Sequence, residues 1–457
     1  MFTCTHVILT KVRISATIEY RSRRKPGKVI SEKLWQNRRT FLRILMTDTQ
    51  AIYHPNYKYV LMLGSMCALG AISTDMYLPN LPEVQSDLGS TAAAAQFTIT
   101  AMMIGNAVGQ LVLGPISDRF GRRKPVLIGV GLHIIVSGLC AIAPAMIPLI
   151  VFRACQGFFN ASAGVVAMAV IRDRFVGQEA SRLMSRLMLV IGVAPLFAPT
   201  IGGFIGDWIS WRGVFAVLGL YGVFLFVAVF LKLPETLPPE RRLDTVTATL
   251  SGYGVLIRDR GFMALAILPG LTSCVLMSYV VGSPFVFKQG YGLTTTEFGL
   301  LFAANGVGLV CGAQVSAALV KHFTPATILR FVVPLMAVLT GILFLVCFTG
   351  WGGLPGLLIS LFVVCCCINM GPPNASTLAL GRHGERAGTA AACIGFVQFG
   401  LSGMVAPLVG VFGETSRAMS GVMFASALMA ILVVTLGTPL FRRGGAARLD
   451  RAAIHPN

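Results

Sequence analysis

The 457 residues are 55% apolar and only 12% charged, with a mean hydropathy of +0.76. An ordinary soluble domain carries about 25% charged residues, so this composition excludes a water-soluble globular protein and a disordered chain. The net charge of +19 could point to nucleic acid, and its placement along the chain decides the matter.

Residues 1–58 hold twelve of the 37 Lys and Arg. Within this tail, residues 31–46 put Leu34, Phe41, Leu42 and Leu45 on one helical face. That is the pattern of an interfacial helix. A loosely ordered tail, or a true start at Met46, fits equally well. No apolar core ending in a small-residue cleavage site occurs before residue 45, so no cleavable signal is predicted.

Apolar runs follow at 59–79, 95–116, 125–143, 146–170, 184–205, 214–233, 262–287, 298–320, 326–348, 353–377, 388–412 and 419–441. Each is long enough to cross a hydrocarbon core of about 30 Å as a helix. The expected fold is an all-α polytopic membrane protein with twelve transmembrane helices. In that arrangement 33 of the 37 Lys and Arg fall on one side and three, Arg212, Lys288 and Arg417, on the other; Arg153 lies within a span. Such asymmetry puts both termini in the cytoplasm. The positive charge is then a topology signal and a contact for anionic lipid heads at the cytoplasmic face, not a nucleic-acid surface. The 11 cysteines form no CxxC pair and lie mostly in apolar runs. They read as small buried residues, not as metal ligands or disulfides. Cys365–Cys367 point to different helix faces and make no metal site.

The longest polar interruption, 234–261, divides the chain. The expected domains are a basic tail (1–58), a six-helix lobe (59–233), a cytoplasmic linker (234–261), a second six-helix lobe (262–441) and a tail (442–457). Ala198-Pro199-Thr200-Ile201-Gly202-Gly203 in span five is echoed by Ala406-Pro407-Leu408-Val409-Gly410 in span eleven. Such echoes suit transporters built as two six-helix repeats around a central path.

The loop after span two reads Gly114-Pro115-Ile116-Ser117-Asp118-Arg119-Phe120-Gly121-Arg122-Arg123-Lys124. Gly114 would permit close helix approach, Gly121 would turn the chain, and Asp118 with Arg119, Arg122 and Arg123 could latch one state of the bundle. A plain positive-inside loop is the other reading. Gly-x-x-x-Asp-Arg-x-Gly-Arg-Arg resembles the signature of the major facilitator superfamily. Further segments narrow the likeness: Ser73-Thr74-Asp75-Met76-Tyr77-Leu78-Pro79, Arg153-Ala154-Cys155-Gln156-Gly157, the Pro199-Gly202-Gly203 segment, and Leu233-Pro234-Glu235-Thr236. Together they are similar to the bicyclomycin/chloramphenicol-resistance (Bcr/CflA) group of twelve-helix drug:proton antiporters. In the antiporter motif Ala194 and Ala198 stand where glycines are usual.

Asp75 is the only acid placed clearly within an apolar run, and Arg153 is the only such base. A charge at the bilayer centre costs about 2.5–3.5 kcal/mol on insertion scales, so it is retained when paired, cavity-lining or functional. A carboxyl in such a place can exchange protons near neutral pH, which makes Asp75 the proton-coupling candidate. Its position, about 24 Å along the helix from Tyr59, also suits a cap near the interface. For Arg153 the resemblance implies a part in proton transfer; the alternative is a structural arginine bonded to helix carbonyls. Gln156 and Asn160 follow at i+3 and i+7 on the same face, a stripe expected to face the central cavity. Tyr77, Gln156, Asn160, Tyr279 and Gln398 are the substrate-cavity candidates, and His133 reads as a packing residue. Pro199, Gly202 and Gly203 should bend span five, either to seal the cavity against proton leak or simply to pack.

No Walker A, HExxH or GxSxG sequence occurs, so nothing points to ATP, a metal, a cofactor or an enzyme. The expected function is proton-coupled efflux of small hydrophobic or amphipathic molecules, by a monomer in the bacterial inner membrane. A nutrient symporter, or a transport-like receptor without flux, is the alternative, since fold does not fix direction.

Overall fold

The computed structural model describes residues 57–175, 183, 187, 197–242, 247–383, 387–405, 407–442 and 444–454. Twelve long helices lie among them: α1 (Tyr57–Asp75), α2 (Ala92–Phe120), α3 (Arg123–Ala141), α4 (Met146–Arg174), α5 (197–209), α6 (Trp211–Lys232), α7 (Arg260–Pro284), α8 (Thr295–Leu319), α9 (Pro325–Thr349), α10 (Gly353–Ile368), α11 (Ala387–Val405) and α12 (Ser416–Gly437). Among the described residues eleven segments are long and apolar enough to cross a membrane. Most of the expected span five, including Ala194, lies outside the described residues, as do the interfacial helix of 31–46 and the start at Met46.

Helix starts follow from local chemistry. Thr91, Asp259, Thr324 and Thr415 accept first-turn N–H groups with their side chains, and Thr294 with Glu297 forms a full capping box on α8. Such caps satisfy donors that a helix cannot satisfy itself.

Glycine spacing decides which helices meet. Gly105 and Gly109 of α2 sit one turn apart opposite Gly157 of α4. A Cβ at Gly105 would run into the Ala154 carbonyl, one at Gly109 into Phe158 and Ala161, and one at Gly157 into the Met102 carbonyl. Small residues that let backbones touch are the main source of helix association in lipid, where burial of apolar surface drives little. The second half repeats the device. Gly308 and Gly312 of α8 lie against Phe362 and the Cys366 carbonyl of α10. The first lobe is completed by α3 against α4 and α6, and by α1 against α4; the second by α7 against α11 and α12, and by α9 against α10 and α12. Large apolar side chains such as Ile128, Phe224, Phe331, Leu345, Ile359 and Leu436 are exposed on the outside, the reverse of a water-soluble protein and the belt expected against hydrocarbon.

The lobes touch along α2 and α11. They also meet at the end remote from the Arg122 loop, called here the far end. There Lys288 Nζ donates to the Pro79 carbonyl (3.4 Å), the Thr295 hydroxyl donates to Asp207 (3.1 Å), and the Gly410 N–H donates to Gln96 Oε1 (2.8 Å).

Hydropathy smooths over several features. The span expected at 59–79 stops being regular helix at Asp75 and turns through a short 3-10 helix (Leu78–Asn80) into the helix Leu81–Asp87. Pro79 and Pro82 break the ladder there. The span expected at 353–377 is likewise split, into α10 and the helix Pro372–Arg382. The polar interruption contains a helix, Thr247–Arg258, and the C-terminal tail another, Gly445–Ile454.

Candidate functional site

Asp75 is the last residue of α1 and only 7% exposed. Among the described residues no hydrogen-bond donor or cation reaches its carboxyl, a costly arrangement for a buried charge. The turn after it is held from two sides. Gly202 of α5 presses on the Met76 carbonyl so closely that a Cβ there could not fit. Asn80 Nδ2 donates to the Gly202 carbonyl at 3.0 Å. Gly203 abuts Thr295 of the second lobe, and Lys288 of the second lobe caps the Pro79 carbonyl. Pro199 lies in the first turn of the described part of α5. Its glycine neighbours therefore act as contact points between α1, α5 and the second lobe.

Arg153 is fully buried in α4. Its Nη1 donates to the Ser73 carbonyl (3.2 Å) and to Gln156 Oε1 (2.6 Å). The guanidinium lies 4.7 Å from the Tyr77 ring centre and 5.5 Å from that of Phe215, a cation–π setting. Gln156 Nε2 donates to Ser137 Oγ at 2.8 Å, and His133 Nε2 lies 3.4 Å from both Ser137 Oγ and the Leu218 carbonyl. Asn160 is buried beside His133, and among the described residues neither of its amide atoms meets a partner at full hydrogen-bond geometry. Arg153 and Gln156 thus face α1, α3 and α6 in the interior of the first lobe, where the sequence stripe suggested the central cavity. Arg153 and Asp75 form no ion pair among the described residues; their link is the Ser73 carbonyl, two residues before Asp75. Tyr77 is fully buried and accepts from the Thr98 hydroxyl at 3.1 Å.

Among its described residues the second lobe buries no comparable charge. Tyr279 stacks on Phe302 (5.4 Å) and its hydroxyl accepts from Asn305 Nδ2 at 3.2 Å; all three are buried. Gln398 donates to Ser273 Oγ at 2.9 Å, tying α11 to α7. Along the α2–α11 seam, Gly395, Gly403 and Gly410 receive Gln110, Met103 and Gln96.

The Arg122 loop forms a charge cluster at the basic end. Arg122, 7% exposed in its side chain, pairs with Asp118 and with Asp173 (2.8 Å) and donates to Ser117 Oγ (2.9 Å). Burial opposes the Arg122 charge, but the Asp173 and Asp118 carboxylates more than offset it and raise its pKa. Glu235, just past α6, accepts the N–H groups of Arg122 (2.8 Å) and Arg123 (3.3 Å) at the start of α3, and those of Thr236 and Leu237. Burial would raise the Glu235 pKa; these donors outweigh it and lower it. Gly121 has φ +88°, and a Cβ there would strike the Glu235 carboxylate, so only glycine serves. Arg123 reaches the Phe230 carbonyl (2.7 Å), while Arg119 is exposed over Phe120. Gly114 does not mark a tight crossing: a Cβ there would meet Val165 at an ordinary 3.9 Å. Asp173, Ser137 and Phe215 escaped the sequence analysis, and Ser73 and Lys288 were given no site role there. For Asp173 the signal was its place just past the expected end of span four, among Arg172 and Arg174, and for Lys288 its being one of three far-side cations.

The profile of the Major Facilitator Superfamily matches residues 61–407. The chain belongs to the Major Facilitator Superfamily, and within it to the bicyclomycin/chloramphenicol-resistance group. It is similar to the uncharacterized MFS-type transporter YdgK of Bacillus subtilis, with 36% identity over 81% of this chain and 93% of that one. It is similar too to a bicyclomycin resistance protein homolog of Haemophilus influenzae, with 30% identity over 82% and 94%. Among solved structures, the D-xylose-proton symporter aligns at a TM-score of 0.64 with 18% identity, covering 82% of this chain and 97% of that chain. The last likeness speaks for the fold alone.

Proposed function

We propose that this protein exports small hydrophobic or amphipathic molecules in exchange for protons, by alternating access between two six-helix lobes at 59–233 and 262–441. The basic end is assigned to the cytoplasm, with both termini and the linker 234–261 on that side. The single observation that carries the reading is the buried Asp75 carboxyl at the end of α1, without a partner among the described residues and one turn from where Lys288 joins the lobes. The relative named for bicyclomycin resistance supports the substrate class.

In the proposed cycle the lobes meet at the far end, as described, and substrate enters from the cytoplasm or inner leaflet while Asp75 is ionised. Rocking about the central path moves the contact to the basic end, where the Asp118–Arg122–Asp173 cluster latches. Asp75 then takes a proton from outside, substrate leaves, and the protonated protein returns and releases the proton inside. Arg153 holds the Ser73 carbonyl and the Tyr77 ring, and so fixes the backbone on which Asp75 sits. Tyr77, Gln156 and Asn160 support that frame, while Tyr279 and Gln398 shape the second-lobe wall. The membrane potential supplies about 2.3 kcal/mol per charge per 100 mV, enough to sustain a modest gradient.

Everted vesicles test the direction. An acid interior should drive uptake of bicyclomycin or chloramphenicol by wild-type protein, and Asp75→Asn should abolish that uptake while leaving counterflow. Uptake by Asp75→Asn equal to wild type would remove Asp75 from the mechanism.

A further inference from the structure

We propose that a notch beside α12 holds one anionic phospholipid from the leaflet at the far end. This rests on the membrane assignment and is independent of the proton cycle. The described part of α11 ends at Val405, and beyond Pro407 lies the short helix Leu408–Val411. A groove of about 440 Å³ runs beside it, between α7, this far-end segment and α12, lined by Leu271, Leu408, Phe412, Gly421, Ala425 and Met429. On the α12 wall Ala425 is small, and the Cβ position of Gly421, one turn before it, faces Phe344 of α9. From Arg417 at the mouth to Met429 is about three turns, or about 18 Å of helix, so the groove is long and narrow along the bundle axis.

Arg417 is the one charged side chain in this lining. It stands in the first turn of α12 with its guanidinium 5.4 Å from the Phe348 ring centre, and no carboxylate pairs with it among the described residues. An exposed, unpaired cation at interface depth above an apolar slot matches one chemistry: an acyl chain below and a net negative head above. A zwitterionic head also brings a phosphate, but its own ammonium competes with Arg417. One cation near the surface favours an anionic lipid by about 1 kcal/mol, or about fivefold in affinity.

Native mass spectrometry of the full-length protein, released from nanodiscs holding equal phosphatidylglycerol and phosphatidylcholine with matched chains, reads this preference. Wild-type protein should retain one phosphatidylglycerol at about fivefold preference, Arg417→Gln should bring the preference near one, and Arg417→Lys should restore most of it. Ala425→Trp, which fills the groove, should lose the retained lipid whatever its head, while Leu436→Trp on the open lipid face should not. Equal retention of both lipids by wild type, retention unchanged by Arg417→Gln and Ala425→Trp, or a second protein chain in place of lipid overturns the proposal.

Discussion

The two lobes share a packing plan and differ in chemistry. Gly105 and Gly109 set α2 against α4, and Gly308 and Gly312 set α8 against α10, both pairs 203 positions apart in the chain. Each lobe also closes the first turn of its third helix with a carboxylate from beyond its sixth: Glu235 accepts from Arg122, and Asp450 accepts from Ala326 at 3.3 Å. The interiors then part. The first holds Arg153, His133, Gln156 and Asn160; the second holds Tyr279, Phe302 and Asn305. The buried Arg153 guanidinium is held by one backbone carbonyl, one side-chain amide and two aromatic rings, and a buried charge that loses such partners is costly, so it fixes its surroundings. An aromatic cluster can be reshaped without stranding a charge. Packing was therefore kept in both halves, while ionisable groups were concentrated in one.

The largest effect should come from the shared device. Gly157→Leu in the first lobe and Gly312→Leu in the second each drive a side chain into a backbone carbonyl. Each should lower stability by about 1–3 kcal/mol or more, read by thermal melting of the purified protein. Gly114→Ala should stay within about 0.5 kcal/mol, because its Cβ meets only an ordinary contact. A lobe that tolerates its leucine would break the equivalence.

The charge clusters should rank next. Arg122 is 7% exposed in its side chain and serves two carboxylates, whereas Arg382, paired with Asp259, is 27% exposed. Arg122→Gln should cost about 1–3 kcal/mol, since it strands Asp173, and Arg382→Gln less than about 1 kcal/mol. Equal losses would show that the two clusters are interchangeable.

The smallest effect is a pH dependence. Burial acts to raise Asp259, but the Phe262 N–H, His383 and Arg382 lower it; Glu235 is lowered by its four N–H partners. A carboxylate held below its unfolded value stabilises the fold above about pH 4 and loses that contribution as pH falls through its folded value. Melting temperature should therefore drop below about pH 4, and Glu235→Gln should flatten part of the drop.

Much of the architecture was legible, because twenty apolar residues in a row have few other fates. The helix end at Asp75 was not, since hydropathy is continuous through Met76-Tyr77-Leu78 and only the prolines hint at a turn. The Thr247–Arg258 helix was hidden by its short length and its Thr, Ser and Gly residues, which are weak helix formers. Spacing placed Arg153, Gln156 and Asn160 on one face, but spacing cannot say which neighbour that face meets; Ser137 comes from α3, the preceding helix, and Phe215 from α6, two helices on. The Asp118–Arg122 pair was readable as an i,i+4 contact, whereas Asp173 and Glu235 join it only through the fold.

The central claim is that Asp75 carries the proton that substrate displaces. Proton release from purified, weakly buffered protein on adding bicyclomycin or chloramphenicol measures it directly. Wild type and Asp118→Asn should release protons in proportion to bound drug, and Asp75→Asn should bind drug and release none. Equal release from wild type and Asp75→Asn would contradict the account.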